Sequence, residues 1–312
     1  MKFYVKKICT LFLTLFLVMF LAFTAFRIIP GNSAQIALGL DASDEDVAAL
    51  MHERGLDKPF LESFVSYVGG LLHGDAGISM HYDKPVMEVI KGRLPVTLLT
   101  AFLAIFLIII MAFPIGILTS AIKHPAGETV FTLFNQSFMA VPSFFMGIII
   151  TLIFGLILKF FSPGGYIPYN EDLWGCMKYL FWPALAIALP KTAMLVRLIR
   201  TGIQKELTKD YVRTAKSKGN NMFRILVLHV MKNAMIPVIT FFGMMIAEVL
   251  AGSIVVEKVF SLPGLGTLLV SEIGARDYPV VQAIMLYIAF TVIIINFIVD
   301  LTYKRFDKRV NV

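Results

Sequence analysis

Two charged residues of this chain lie where a charge is costly. Lys191 and Glu248 each stand well inside a long apolar segment. Each is about eleven residues from one end of its segment, which at 1.5 Å per helical residue is a depth of roughly 16 Å. An isolated charge that deep in a bilayer costs at least about 2.5–3.5 kcal/mol. We therefore expect both side chains to face the interior of a helix bundle, or a path through it, where they can pair.

Other residues with reactive side chains form no catalytic pattern. The sequence contains no H-E-x-x-H, G-x-S-x-G or G-x-x-x-x-G-K-[ST] motif and no paired aspartates in an apolar segment. The cysteines, Cys9 and Cys176, are far apart and belong to no motif. The histidines have no ligand spacing, and His73 with His81 in one loop is the weak candidate for a nickel site. We therefore predict no catalytic and no metal site. The five histidines are His52, His73, His81, His124 and His229.

The composition indicates a membrane protein. Of 312 residues, 58% are hydrophobic and 16% are charged, and the mean hydropathy is +0.79. A soluble domain is nearer to about 45–50% apolar and 25% charged. A globule of this length could not bury so much apolar surface. These values exclude a cytosolic enzyme, a disordered chain and a disulfide scaffold.

The apolar segments predict an all-α, polytopic protein with six transmembrane helices. Each is long enough to cross about 30 Å of hydrocarbon. Lys2, Lys6 and Lys7 precede the first segment, which is too long for a signal peptide and is interpreted as a retained span. The predicted spans are Ile8–Phe26, Pro95–Ile122, Val130–Phe161, Leu180–Gly202, Pro237–Val256 and Val280–Tyr303.

The positive charges predict the orientation. The net charge is +7 and the isoelectric point about 9.3. Residues 197–232 carry nine basic and two acidic residues, whereas 27–93 carry six basic and ten acidic ones. Since Lys and Arg in short loops mark the cytoplasmic side, both termini are expected there. The charge then sets topology and indicates no nucleic-acid partner. The predicted regions are a first tail and span (1–26), an extracytoplasmic helical loop (27–94), a five-helix core (95–303) with a cytoplasmic loop at 203–236, and a cytoplasmic tail (304–312).

The loop at 27–94 has the signals of two helices. Ser43, followed by three acids, predicts a helix start, and Gly55 its end. Pro59 opens a second helix that stops before Gly74. Its apolar stripe is expected to pack against the membrane bundle or a partner. The stripe consists of Phe60, Phe64, Tyr67 and Leu71.

The loop at 203–236 predicts a short helix between two spans. Asp210 is expected to cap a helix over 211–218, and Gly219 to supply its left-handed stop. Residues 222–233 suit a helix along the membrane surface, after which Pro237 starts the fifth span. Arg197 and Arg200 are expected to snorkel to the interface. Kinks within spans are expected at Pro142, Pro183 and Pro190.

Several motifs resemble the permeases of binding-protein-dependent ABC importers, in particular the B-type subunit of the dipeptide/oligopeptide/nickel branch. The cytoplasmic signature of that family resembles DYVRTAKSKG, followed by His229, Asn233-Ala234 and Pro237. Other matching pieces cover nearly the whole chain in the family's order. They are GDAGIS, RLPVTLLTA, VPSFFMG, WPALAIALP, VVEKVFSLPGLGTLL, ARDYPVVQ and VDLTYKRFDKRV.

The resemblance implies a type I ABC importer permease fold in the bacterial inner membrane. It implies three kinds of partner besides membrane lipids: a second permease, two ATPase subunits and an extracytoplasmic substrate-binding protein. ATP and Mg would be bound by the ATPases, with no cofactor in this chain. The short helix would be the coupling helix, with Tyr211, Thr214, Ala215 and Lys218 on one face whose small residues allow close approach. The coupling residues implied are Asp210, Tyr211, Arg213, Thr214, Ala215, Lys216, Lys218, Gly219, His229, Asn233 and Pro237.

The function expected from the resemblance is one half of a path for di- or oligopeptides, driven by ATP. The path candidates are Lys191, Glu248, Pro142 and Phe145. Lys191 and Glu248 would either contact a zwitterionic or metal-chelating substrate or form a structural ion pair. One alternative is the same role for nickel or a metal–chelator complex. A second is a gradient-driven secondary transporter, which leaves the coupling loop without a purpose and lacks an evident inverted repeat. An intramembrane enzyme would need motifs that the sequence does not have.

Overall fold

The computed structural model describes residues 2–28, 35, 38–39, 41–55, 57–122 and 124–306. Within these ranges the chain is helical, and the one β-type contact is an isolated bridge between Ile78 and Pro85. The end of the predicted cytoplasmic tail, from 307, lies outside the described residues. The helices up to residue 157 are α1 (Lys2–Ile28), α2 (Asp44–Glu53), α3 (Phe60–Leu72), α4 (Val86–Ser120), α5 (Pro125–Ala140) and α6 (Ser143–Ile150), which continues as a π-helix (Thr151–Ile157).

The later helices include the longest buried one. They are α7 (Leu173–Leu207), α8 (Asp210–Ser217), α9 (Met222–Ile225), a π-helical turn (Leu226–Val230), α10 (Met231–Gly252), α11 (Ile254–Val259), α12 (Leu265–Ala275) and α13 (Tyr278–Phe306).

The spans agree in number and order with the sequence. Five described helical stretches are long and apolar enough to cross a membrane, and a bent pair makes a sixth when its two helices are counted as one span. In that pair the kink expected at Pro142, within the predicted span over 130–161, is a break between two helices. The helices α5 and α6 meet at an angle of 98°. Val141 and Pro142 are extended there, with ψ angles of 121° and 146°. A proline restricts the preceding residue to extended backbone, so the helix ends at Ala140.

The predicted start of the fifth span at Pro237 is wrong. Pro237 lies inside α10. The segment from Met222 to Val259 is one helical stretch long enough to span, so no separate surface helix precedes it. A π-helical turn over Leu226–Val230 occurs within this stretch. Proline is tolerated inside spans because neighbouring groups and local π adjustments satisfy the freed carbonyl.

Two other spans extend beyond the sequence prediction. The helix α4 begins at Val86, before the predicted start at Pro95, and α7 covers 35 residues. The helix α7 passes through Pro183 and Pro190 without interruption. Of the three prolines expected to mark kinks, Pro142 alone stands at a break between helices.

The described chain forms two compact units. The first comprises Met1–Leu98 and Leu262–Ile294, and the second Leu99–Ser261 and Ile295–Val312. In the second unit α7 is central, since it packs against α5, α6, α10 and α11. A Cβ on Gly116 would lie 2.8 Å from Ile199 Cγ2 of α7, so only glycine allows this approach of α4. Small residues at such contacts are typical of packed membrane helices.

The first unit contains the two helices expected before Gly74. Ser43 caps α2 by accepting a hydrogen bond from the Asp46 amide (3.2 Å), and Gly55 follows with φ +64°. The apolar stripe of α3 packs on α1, as the sequence predicted. Its ring contacts have centroid distances of 5.4–6.0 Å and are Phe16–Phe64, Phe20–Phe60, Phe20–Phe64, Phe23–Phe60, Phe23–Phe64 and Phe23–Tyr67.

Candidate coupling helix and translocation-path residues

The short helix α8 begins one residue earlier than its sequence suggests. Lys209 is the N-cap, with extended backbone (ψ 150°) and no side-chain cap. Asp210, expected to be the cap, is the first helical residue. There its charge favours the helix because the exposed N–H groups at this end are partly positive. The prediction of the helix was right and that of its cap was wrong.

Gly219 ends the helix as predicted. Its φ of +79° is left-handed, and its amide donates to the Lys216 carbonyl at 3.0 Å. Asn220 then donates to the carbonyl of Ala215 from both its amide and its side chain, at 3.4 and 3.1 Å. A left-handed residue costs roughly 1–2 kcal/mol unless it is glycine. Gly219 therefore allows a tight reversal within two residues of α8.

One side of α8 is attached to the rest of the chain. Val212 and Ala215 are buried, and Tyr211 donates a hydrogen bond to Glu206 Oε2 at 2.7 Å. Burial raises the pKa of Tyr211 above its ordinary value of 10.0, so it stays a donor at neutral pH. Ala215, placed by the sequence on a face that approaches a partner, is 8% exposed and belongs to the attached side.

The other side of α8 is open and basic. Arg213, with a side chain that is 82% exposed, lies 3.9 Å from Asp210. Thr214, Lys216 and Lys218 are also exposed. The helix therefore presents three cations to its surroundings while its apolar residues are held by the chain.

The residues of the downstream signature share one helical face. His229, Asn233 and Pro237 are spaced four residues apart, and all three are exposed. Residues four apart on a helix are neighbours, although the π-helical turn displaces His229 slightly. Asn233 Nδ2 donates to the His229 carbonyl at 3.4 Å. The three side chains are exposed, and that of Asn233 also interacts with the Tyr211 hydroxyl, so this face is partly attached to α8.

Lys191 and Glu248 are brought together. Lys191 Nζ donates a hydrogen bond to Glu248 Oε2 and forms an ion pair with it. The Lys191 side chain on α7 is 19% exposed and that of Glu248 on α10 is 62% exposed. The expected pairing is therefore present. The role of the two residues in a path stays a prediction.

The other two path candidates are at the break of the bent span. Pro142 is the N-cap of α6, and Phe145 lies in its first turn with a half-exposed ring. A different feature of the second unit is an aromatic groove of about 790 Å³ that none of the four candidates lines. Lys178 at this groove lies 5.6 Å from the ring centroid of Trp174.

The Arg200 side chain is buried among its neighbours, which corrects the prediction that it snorkels to reach water. Its side chain is 8% exposed. It donates to the Thr119 carbonyl at 3.2 Å and to Glu128 Oε1 at 3.0 Å, and it stacks on Phe131. A buried guanidinium with these partners fixes α4, α5 and α7 near the end of α7 that leads to α8. Arg197 is exposed, as expected.

A second polar cluster lies in the first unit and was not predicted. Asp277 Oδ2 accepts hydrogen bonds from Ser79 Oγ and from the His81 amide (3.1 Å). Glu272 accepts from Tyr82 Oη at 3.2 Å and contacts His81 Nδ1 at 2.9 Å. Both carboxylates are fully buried. The signal was in the sequence, since GDAGIS ends at Ser79 and ARDYPVVQ contains Asp277, but nothing indicated that the two motifs meet.

Two histidine side chains contact a neighbouring carbonyl or carboxylate group of the fold. His73 Nδ1 lies 2.8 Å from the Gly69 carbonyl and His52 Nδ1 2.8 Å from Asp57 Oδ2, where this bond holds the pKa of Asp57 below its ordinary value. No group of three or more His, Cys, Asp or Glu side chains in the described residues could hold a metal ion. The cysteines Cys9 and Cys176 are free thiols.

The fold and these residues define a helical, multi-pass membrane protein that presents a short basic helix between two of its spans. Residues 112–312 match the family described as binding-protein-dependent transport system inner membrane component. Residues 1–101 match the N-terminal region of the membrane component of such systems. The chain therefore belongs to this family, the inner-membrane permeases of ABC importers, as its motifs predicted.

Full-length relatives belong to peptide transport systems. The chain is 34% identical to a putative peptide transport system permease protein of Brucella suis biovar 1 (strain 1330), over 98% of both chains. It is 33% identical to the oligopeptide transport system permease protein AppB of Bacillus subtilis (strain 168), over 93% of both. It is 32% identical to the glutathione transport system permease protein GsiC of Escherichia coli (strain K12), over 99% of both.

Proposed function

We propose that this chain forms one half of the translocation path of an ATP-driven peptide importer and that α8 is its coupling helix. The observation that carries the proposal is the two-sidedness of α8. Val212, Ala215 and the Tyr211–Glu206 hydrogen bond attach one side to the chain, and the basic side is open. A helix that is fixed on one side and accessible on the other can transmit a displacement.

The connection of α8 to the membrane supports this role. The helix α7 runs unbroken over Leu173–Leu207 and ends three residues before α8. It packs against α5, α6, α10 and α11, so a shift of its end must move those helices or be resisted by them. The buried Arg200 joins α7 to α4 and α5 close to this end.

The partner of α8 would be an ATPase subunit with an acidic groove. Arg213, Lys216 and Lys218 supply the complementary charge. Family membership implies ATPase and binding-protein partners in general, and we assign two ATPases and a second permease to this chain's complex. ATP and Mg would be held by the ATPases. This chain would contribute only the mechanical contact.

The orientation of the chain in the membrane follows from assigning α8 as the coupling helix. The segment that contains α8 has nine basic and two acidic residues over 197–232, which favours the cytoplasm. The helices α2 and α3 would then lie on the opposite side, where the substrate-binding protein docks. Both termini would be cytoplasmic. The regions 1–26, 27–94, 95–303 and 304–312 keep the roles that the sequence suggested.

Peptides are the favoured cargo because the relatives above are named for peptide, oligopeptide or glutathione transport, and glutathione is itself a tripeptide. The path would include Glu248, since an exposed carboxylate in mid-span cannot face lipid without a large cost.

The proposal is tested by purifying the tagged chain with the subunits that accompany it and placing the complex in vesicles. Uptake of labelled peptide should require ATP and the binding protein, and a protonophore should not affect it. The complex should contain two ATPase subunits for each pair of permeases. Uptake that continues without ATP and collapses with the protonophore would establish a gradient-driven transporter instead.

A further inference from the structure

We propose that Lys191 and Glu248 form a recognition site for the two charged termini of a peptide, with its carboxylate on Lys191 and its ammonium on Glu248. The inference rests on the proposed function and deepens it, because it gives the path a substrate requirement. It assigns a role to a pair whose two halves lie on different helices of the second unit.

The exposed face of α10 shows where the pair opens. Pro237, Met244 and Glu248 of α10 and Val255 of the adjoining α11 are exposed and recur at intervals of four or seven residues, which is one face of the continuous helical stretch Met222–Val259. Three of the four are apolar, and such a face could meet lipid if Glu248 were absent. Glu248, with 62% of its side chain exposed, requires a polar surrounding at this depth. We therefore assign this face to the path or to the second permease that encloses it.

The two side chains of the pair differ in exposure, and this difference allows a solute to replace one partner of the ion pair. Lys191 is enclosed by α7 and its neighbours, with 19% of its side chain exposed, whereas Glu248 is open. A solute that arrives along the face of α10 therefore meets the carboxylate first. The Lys191 ammonium, on its flexible four-carbon stem, can follow a second carboxylate without moving the backbone.

The charges of the pair then favour a solute that carries both a positive and a negative group. Breaking the pair leaves two partly desolvated charges, which is costly unless each receives a new partner. A peptide with free termini carries an ammonium and a carboxylate at neutral pH, so it can replace both halves at once. A peptide with one blocked terminus leaves either Lys191 or Glu248 without a partner. The path should therefore disfavour peptides that are acetylated at the N-terminus or amidated at the C-terminus.

The test uses the complete importer in vesicles with three probes: Ala-Ala, N-acetyl-Ala-Ala and Ala-Ala amide. Initial uptake is divided by the occupancy of the binding protein with each probe, measured separately. The wild type should favour Ala-Ala over either blocked form by about tenfold, the value of a hydrogen bond to a charged group. Lys191→Met should raise the relative uptake of Ala-Ala amide to that of Ala-Ala, without helping the acetylated peptide. Glu248→Gln should do the same for N-acetyl-Ala-Ala, without helping the amide.

Matched substitutions at exposed positions are Lys178→Met and Glu171→Gln, which should leave the preference for free termini unchanged. The inference is overturned if Lys191→Met and Glu248→Gln lower all three probes by one common factor, as a structural ion pair would, or alter none of them. The proposed function fails differently, since the wild type would then show no ATP-dependent uptake of any probe.

A charge-swapped variant covers the case in which a single substitution prevents assembly. Lys191→Glu/Glu248→Lys retains an ion pair, and a peptide can bind it in the reverse direction. It should keep its preference for free termini to within about twofold of the wild type. Equal transport of free and blocked peptides by the swapped variant would overturn the inference.

Discussion

Ser79 donates a hydrogen bond to Asp277, 198 positions away along the chain. Neither side chain is accessible to water. Asp277 also accepts from the His81 amide and, at 3.5 Å, from the amide of Val280 in α13. One carboxylate therefore joins the turn after Gly74 to the start of the last span, within the first unit.

Replacing this carboxylate by an amide should destabilise the first unit. In Asp277→Asn one of the two side-chain atoms that accept hydrogen bonds becomes a donor and faces Ser79 Oγ or a backbone N–H. A buried group left without its partner costs about 1–3 kcal/mol. We expect a lower midpoint of thermal unfolding for the purified chain in detergent. Glu62→Gln, on the exposed side of α3, should leave that midpoint unchanged, and equal midpoints for both variants would contradict the assignment.

The sequence could predict Lys191–Glu248 but not Ser79–Asp277, and the reason is energetic. A charge in a span is so costly that one such residue predicts an oppositely charged partner on a neighbouring helix. Asp277 lies in a polar connection where a carboxylate is unremarkable. Its burial depends on how distant segments pack, which no local pattern records. Arg200 was misjudged for the same reason, because a cation near a span end ordinarily reaches water.

Helix positions were predictable where short-range chemistry decides them. The Ser43 cap, the stops at Gly55 and Gly219 and the packing stripe of α3 all appear as expected. The sequence predicted a kink at Pro142 but not a bend as large as 98°. It predicted the same kind of kink at Pro183 and Pro190, which lie in α7 without interrupting it. A proline removes one hydrogen bond in each case, and tertiary packing decides whether the helix continues.

Gly219→Asp should leave the chain in the membrane but separate ATP hydrolysis from uptake. A Cβ at Gly219 meets no atom within 4 Å, so the effect comes from the left-handed backbone and from an acid beside the basic side of α8. We expect ATP turnover to continue while peptide uptake per ATP falls at least about tenfold.

Gly55→Asp is the matched control for this variant. Gly55 also has a positive φ, +64°, and also follows a helix, but it belongs to the first unit. It should carry a similar local strain without loss of coupling. Normal uptake per ATP in Gly219→Asp, or an equal loss in Gly55→Asp, would count against α8 as the coupling helix.

Tyr211→Phe should loosen the attached side of α8. The hydrogen bond to Glu206 is lost, at a cost of roughly 0.5–3 kcal/mol, and the ring is kept. We expect uptake per ATP to fall while the amount of complex is unchanged. Glu206→Gln retains an acceptor oxygen and should have a smaller effect. A larger effect of Glu206→Gln would contradict the assigned direction of this bond.

The pH dependence of the same bond follows from the raised pKa of Tyr211. A phenol whose folded pKa lies above its unfolded value of 10.0 stabilises the protonated form, and this contribution is lost as the pH rises through the folded pKa. The difference in uptake per ATP between wild type and Tyr211→Phe should therefore be constant from about pH 6 to pH 9. A difference that disappears within that range would show that the bond is not the cause.

Arg200→Met should destabilise the second unit, because the substitution removes the donors to Thr119 and Glu128 and the cation above Phe131. Glu128, with 51% of its side chain exposed, can return to water, so we expect about 1–3 kcal/mol, less than for a fully buried pair. Arg200→Lys keeps the charge but not the planar fork, and should recover only part of the loss. The measurement is the thermal unfolding midpoint in detergent, with the exposed Arg197→Met as control. If Arg200→Met and Arg197→Met unfold at the same temperature, Arg200 does not hold α4, α5 and α7 together.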